Sequence, residues 1–266
     1  MIPLIFIHKN IGLAEGYLEH TLLQAKSYNN HVILISDNTD KYDFVDNYNL
    51  DDFYNDEKLI KLRKNYIHLC SNPEEFELIS LERWFILNQL IKKHNFKKCC
   101  LADSDTLFYC NIEKELKQFE EFDLTLSNGI SANILFLNHI EIIEEFCNFI
   151  NYNYEFNKND LIKTYDNYVQ KGQAGGICDM TFFSIFKNQK RWIEISTIKD
   201  NITFDANINM PLNYIQDEEL ECKKIEIIDG VPFGTLKDDL IKIRFKSLHL
   251  QGQFMKQHIT KYITYS

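Results

Sequence analysis

Apolar runs punctuate the first hundred residues at regular intervals. Residues 4–8, Leu-Ile-Phe-Ile-His, form a short run that reads as a buried strand. Residues 16–28 follow with Leu18, Leu22 and Ala25 at helical spacing. Residues 32–35, Val-Ile-Leu-Ile, predict a second buried strand, closed by the turn signal Ser36-Asp37-Asn38. Residues 66–69 read as a third strand. Pro73 then opens a long helix to about Asn95, and residues 98–102 form a fourth strand closing at Asp103. Strand and helix alternating in this way predict a parallel sheet covered on both faces. Ligands of such sheets sit outside the carboxyl ends of the strands. His8, Asp37 and Asp103 stand at those ends.

The second half has a different rhythm. Residues 123–127 and 134–137 read as strands, 139–152 and 161–170 as helices. A short helix over 178–186 is introduced by Gly175-Gly176. Strand-like runs follow at 193–196, 202–204, 224–228 and 241–250. The expectation is an α/β core with a more mixed tail and no internal repeat.

Composition narrows the function classes. The 266 residues carry a net charge of −10, which lacks the basic footprint of a nucleic-acid binder. It also disfavours general attraction to anionic lipids. The acids between residues 37 and 57 read as a solvated loop. Seven cysteines, with no Cys-x-x-Cys, suggest a reducing compartment and no structural zinc. No apolar run reaches the ~20 residues that span a bilayer, and the N-terminal run lacks a basic leader. A cytoplasmic location is therefore expected, with peripheral membrane association through a partner left open. Oligomeric state is not legible.

The candidate chemistry centres on Asp103-Ser104-Asp105. An acid-x-acid pair alone is weak, since 39 acids give about six such pairs by chance. Context separates this one. Asp103 and Asp105 close the apolar run Cys99-Cys100-Leu101-Ala102, and Leu107-Phe108 follows. Two carboxylates held there lose hydration and repel one another. A hard divalent cation removes both penalties, and Mg²⁺ and Mn²⁺ favour oxygen ligands. A strand-end turn in which Asp caps the next segment is the plainer alternative. Near the C-terminus, His249 ends a strand-like run, Gly252 permits close backbone approach, and Lys256 has the reach of a phosphate ligand.

The strand ending in Asp103-Ser104-Asp105, together with His249-Leu250-Gln251-Gly252, resembles the GT-A nucleotide-sugar glycosyltransferases, including the glycogenin and bacterial galactosyltransferase-like group. That resemblance implies one GT-A (Rossmann-like) domain over 1–266, with a mostly parallel central sheet, helices on both faces and a smaller mixed C-terminal region. Residues 1–110 would be its nucleotide-binding half and 111–266 its acceptor and donor-sugar half. It implies Mn²⁺ or Mg²⁺ at Asp103, Asp105 and His249, bridging the diphosphate of a nucleoside-diphosphate sugar, and Lys256 on the phosphates. The segment 131–138 resembles the family's small-residue stretch before an apolar strand, which offers Asn133 to sugar hydroxyls. Asp179, after Gly175-Gly176, is similar to the acid that contacts the donor sugar, and would orient that sugar or, if the reaction inverts, serve as base toward the acceptor. The implied acceptor is a glycan, a lipid-linked group or a protein.

Other residues join the candidate set on their own pattern. Arg83 falls on the stripe of Phe76, Ile79, Ile86 and Leu90, where a charge is costly unless paired. It reads either as a structural pair or as a guanidinium aimed at Asp103 or the diphosphate. The GT-A resemblance further implies that His8 and Asp37, at the ends of the first two strands, line the nucleoside pocket, although an Asx turn explains Asp37 equally well. Ser104 is small enough to keep the acidic turn tight. Two rival functions stay open: a metal-dependent nucleotidyltransferase, and a nucleotide-sugar binding module without turnover. The first would carry a Gly-rich phosphate loop early in the chain; residues 10–16 hold two glycines but no basic residue at the usual spacing beyond Lys9.

Overall fold

The computed structural model describes residues 1–11, 16–38 and 41–265. Residues 12–15, within the segment weighed as a phosphate loop, lie outside that set. The first half runs β1 (Leu4–His8), α1 (Gly16–Tyr28), β2 (Val32–Ser36), β3 (Asp46–Asn49), α2 (Glu57–Asn65), α3 (Glu74–His94) and β4 (Cys99–Ala102). It continues through β5 (Thr106–Phe108), α4 (Ile112–Leu116), β6 (Leu124–Leu126) and β7 (Ile134–Leu137). The central sheet has the order β3-β2-β1-β4-β7. Its first four strands are parallel, and β7 runs antiparallel to β4. This is the α/β architecture that the alternating pattern predicts.

Residue parity divides the core. Leu4, Phe6, Val32, Leu34, Cys100 and Ala102 pack on one face with α1 and the C-terminal segments. Ile5, Ile33, Ile35, Cys99 and Leu101 pack on the other with α2, α3 and a later helix, α5 (Glu141–Phe156). Successive strand side chains point to opposite faces, so a strand buried on both faces reads as an unbroken apolar run.

Helix α3 ends at Asn95 in the left-handed conformation (φ 52°), and Lys92, Lys93 and His94 occupy its last turn, where cations suit the helix dipole. Its buried surface is wider than a single stripe. Leu81, Trp84, Phe85 and Leu87 are buried as well, whereas Phe76 is exposed.

Two expectations fail locally. Residues 66–69 are not a strand; the neighbouring Cys70 makes only an isolated bridge to Gly176. Their side chains serve packing instead, with Tyr66, Ile67 and Leu69 against the α3 side of the core. Conversely, the acidic segment between 37 and 57 is not all loop. It contains β3, a polar edge strand pairing with β2, and a 3₁₀ turn at Leu50–Phe53.

Beyond α5 come α6 (Lys158–Gln170), α7 (Asp179–Phe186), β8 (Trp192–Glu194) and β9 (Ile202–Thr203). They are followed by β10 (Gln216–Asp217), β11 (Cys222–Lys223), β12 (Ile225–Ile228), β13 (Val231–Thr235), β14 (Lys242–Phe245), β15 (Ser247–His249) and α8 (Gln253–Gln257). The expected strand over 241–250 is split at Lys246. β14 joins the sheet β12-β13-β14-β9, and β15 pairs antiparallel with β5. That last pairing sets His249 opposite Thr106, beside the acidic turn. No helix among the described residues is long and apolar enough to cross a membrane.

Candidate metal centre

The acidic turn is fixed by backbone before any side chain acts. The Asp103 N–H donates to the Asn133 carbonyl (2.9 Å), and the Thr106 N–H closes the turn on the Asp103 carbonyl (3.0 Å). The Asp105 carbonyl accepts from the Leu250 N–H (2.9 Å), tying the turn to the segment after His249. Two stretches almost 150 residues apart in sequence are thereby clamped together, about the separation of Asp103 and His249.

The side chains converge accordingly. One donor atom from each of Asp103, Asp105 and His249 lies within 4.8 Å of the other two. His249 Nε2 is 3.2 Å from Asp105 Oδ1 and 3.6 Å from Asp103 Oδ2. Its Nδ1 is 2.8 Å from the Ala206 carbonyl. A carbonyl only accepts, so Nδ1 carries a proton, which leaves Nε2 as the nitrogen turned to the carboxylates and the one that can ligate a cation once it is deprotonated. Two carboxylates and an imidazole form a donor set suited to Mn²⁺ or Mg²⁺. Asp105 and His249 are buried and Asp103 is partly open, so one side of the cluster faces solvent.

Two cations flank the cluster. Lys256 Nζ lies 3.0 Å from Asp105 Oδ2 and 4.8 Å from the Tyr17 ring centroid. The single turn of α8 after Gly252 (φ 90°) folds the lysine back over the acidic turn. Arg83 donates from Nη1 to Asp103 and from Nη2 to Asp179 (2.6 Å). Asp179 is buried at the first position of α7. The charge on the α3 stripe is thus paired at both ends of its guanidinium. Burial alone would lower the Arg83 pKa, but Asp103 and Asp179 raise it above its ordinary value.

The same balance governs the centre. Burial pushes the Asp105 carboxyl up, yet His249 and Lys256 outweigh it and hold the group well below the usual carboxylate range. Burial pushes the His249 imidazole down, yet Asp105, Asp103 and the Ala206 carbonyl raise it to about 9.

The remaining candidates surround this core. Ser104 Oγ shares hydrogen bonds with His8 Nδ1 (3.1 Å) and the Tyr17 hydroxyl (3.1 Å). The Asp37 carboxylate accepts from the Asn10 N–H. His8 and Asp37 line a surface cleft with Lys41 and Tyr42. Asn133 is fully buried, and its Nδ2 donates to the Asp205 carbonyl (3.2 Å), beneath the loop that holds His249.

Sequence reasoning missed Tyr17, Asp205, Ala206 and Lys223. Asp205 had a legible signal, since it closes the run Ile202-Thr203-Phe204 just as Asp103 closes its own strand. The Ala206 carbonyl had none, because a backbone group has no residue signature.

No protein-family model matches the sequence, and no curated protein does. Solved structures are similar at low identity. Mouse xyloside xylosyltransferase 1, in its apo form, aligns with a TM-score of 0.48 at 11% identity, over 77% of this chain and 88% of that one. The galactosyltransferase LgtC, solved with donor and acceptor sugar analogues, gives 0.44 at 9% identity, over 98% of this chain and 95% of that one. The glycosyltransferase GlyE of Streptococcus pneumoniae TIGR4 gives 0.40 at 13% identity, over 79% of this chain and 48% of that one, so this chain spans about half its length.

Proposed function

We propose that this chain is a glycosyltransferase of the GT-A type. It would move a sugar from a nucleoside-diphosphate sugar, with UDP the favoured nucleotide, to a hydroxyl of a glycan, lipid-linked or protein acceptor. The observation that supports this best is the meeting of Asp103, Asp105 and His249 at the carboxyl end of β4, with Arg83 and Lys256 on the same carboxylates. Bound by those three residues, Mn²⁺ or Mg²⁺ would supply Lewis-acid stabilisation of the charge that grows on the departing diphosphate.

The chain's own residues divide the rest of the work. Lys256 and Arg83 are cations held beside the acidic turn, where they would add positive charge toward phosphate oxygens. Arg83 also fixes Asp179 (2.6 Å), which suits that carboxylate to orienting the donor sugar. His8 and Asp37 suit the nucleoside, as groups lining the adjoining cleft. The Ser104, Tyr17 and His8 contacts join that cleft to the acidic turn. Residues 1–110 would thus serve the nucleotide and 111–266 the donor sugar and acceptor.

The test is a product assay on purified protein with a panel of UDP-sugars and Mn²⁺. Release of UDP that is lost in Asp105→Asn supports glycosyl transfer. Unchanged turnover in that variant overturns the metal role. Release of pyrophosphate from nucleoside triphosphate and sugar phosphate indicates nucleotidyl transfer, and metal-dependent UDP binding without turnover indicates an inactive binding module.

A further inference from the structure

We infer that Asp205 is the positioning residue for the metal-binding histidine, with Lys223 as its electrostatic support; the inference rests on the metal reading above. Asp205 is fully buried, and each of its polar groups is used by a different neighbour. Its N–H donates to Ser247 Oγ (3.3 Å), and its carbonyl accepts from Asn133 Nδ2 (3.2 Å). Oδ2 accepts from the His249 N–H (3.0 Å), and Oδ1 pairs with Lys223 Nζ (2.6 Å). Lys223 is itself buried and donates a second hydrogen bond to the Asn207 carbonyl (2.7 Å).

This arrangement controls both coordinates of the imidazole. The Oδ2 contact fixes the His249 backbone at the end of β15. The next residue after Asp205 supplies the Ala206 carbonyl that holds Nδ1–H. One two-residue segment therefore sets where the ring sits and which nitrogen faces Asp103 and Asp105. A carboxylate so enclosed is tolerable only because Lys223 neutralises it and hydrogen bonds saturate its oxygens. Neither Asp205 nor Lys223 belongs to the donor cluster, so both act through His249. Outer partners of this kind typically change metal affinity about 10–100-fold when removed.

The test measures Mn²⁺ affinity directly, by titrating the free-ion electron paramagnetic resonance signal, with no substrate present. In Asp205→Asn the amide nitrogen opposes Lys223, and the Mn²⁺ Kd should rise about 10–100-fold. Lys223→Met should show a similar rise, and Lys223→Arg should recover most of the affinity. Circular dichroism establishes that each variant is folded. A folded Asp205→Asn or Lys223→Met with wild-type Mn²⁺ affinity overturns the inference while leaving the metal centre standing. Absence of Mn²⁺ binding to the wild-type chain overturns both. Should the variants fail to fold, ¹⁵N–¹H correlation of the histidine rings in the Mg²⁺-loaded wild type decides. The His249 proton is expected on Nδ1, and finding it on Nε2 overturns the inference.

Discussion

Gly176 lies so close to Leu69 that a Cβ on the glycine would meet the Leu69 carbonyl oxygen at 2.2 Å. Its φ of 153° falls where side chains are seldom tolerated. The contact belongs to a strap. Ile177 N–H donates to that same carbonyl (2.7 Å), and Ser71 N–H donates to the Gly175 carbonyl (3.1 Å). Three residues beyond Gly176, Asp179 opens α7 and meets Arg83.

Gly176→Ala is therefore expected to lower stability by about 1–3 kcal/mol through backbone strain, read as a lower Tm. Asp179 should shift with the strap, and donor turnover should fall roughly 10–100-fold, the usual scale for a 1 Å misplacement. Mn²⁺ affinity should change less than turnover, because the strap reaches the donor cluster through Asp179 and Arg83 and not directly. A variant with wild-type turnover would show that the strap does not position Asp179.

Arg83 joins Asp103 to Asp179 through a single guanidinium. Lysine has the charge but not the planar fork, so Arg83→Lys should satisfy one carboxylate and release the other. The expected result is a fall in kcat of about 10²–10³ for Arg83→Met, the scale of losing one fixed transition-state donor, and a smaller fall for Arg83→Lys. Steady-state kinetics at saturating donor checks it. Equal activity of the lysine variant and the wild type would mean that bidentate geometry is not used.

What the sequence made legible follows from side-chain chemistry. The strands β1, β2 and β4 declared themselves because both their faces are buried, and the acidic turn because it interrupts that apolar record. The edge strand β3 did not, since Asp46-Asn47-Tyr48-Asn49 joins the sheet through backbone pairing that hydropathy does not encode. Residues 66–69 misled for the converse reason: their side chains pack on the core, but the backbone there makes only the isolated bridge of Cys70 to Gly176. His249 was legible as a chemical group, but its meeting with the turn depends on β5 pairing with β15 across about 140 residues, which no local pattern carries.

Lys256 yields a prediction of opposite signs for metal and donor. Its ammonium occupies Asp105 Oδ2 at 3.0 Å, where it competes with a divalent cation for the same carboxylate. Lys256→Met should leave Mn²⁺ affinity of the substrate-free protein equal or tighter. The same change should weaken UDP binding about tenfold or more, since a hydrogen bond from a charged group contributes roughly 1.5–3 kcal/mol. Calorimetric titration of each ligand separates the two effects. Weaker Mn²⁺ with unchanged UDP would place the lysine's role in supporting Asp105 instead.

The charges at the centre also set a pH profile for the metal-free protein. The folded-state pKa of His249 is raised from 6.5 to about 9. Its stabilising contribution is therefore full below pH 6.5 and is lost as pH rises through about 9. Asp105 is shifted the other way, below its ordinary 3.8, so its contribution is full above that value and is lost as pH falls through the folded-state pKa. With EDTA present, Tm should be highest between those two ordinary values and should decline from pH 6.5 to 9. A divalent cation replaces the Nε2 proton, so Mn²⁺ affinity should rise tenfold per pH unit up to about pH 9, with release of about one proton per ion near pH 7. Saturating Mn²⁺ should then flatten the alkaline decline in Tm. Melting curves with EDTA and with Mn²⁺, together with titrations in buffers of different ionisation enthalpy, test both statements. Identical melting profiles and no proton release would mean that the imidazole does not exchange its proton for the ion.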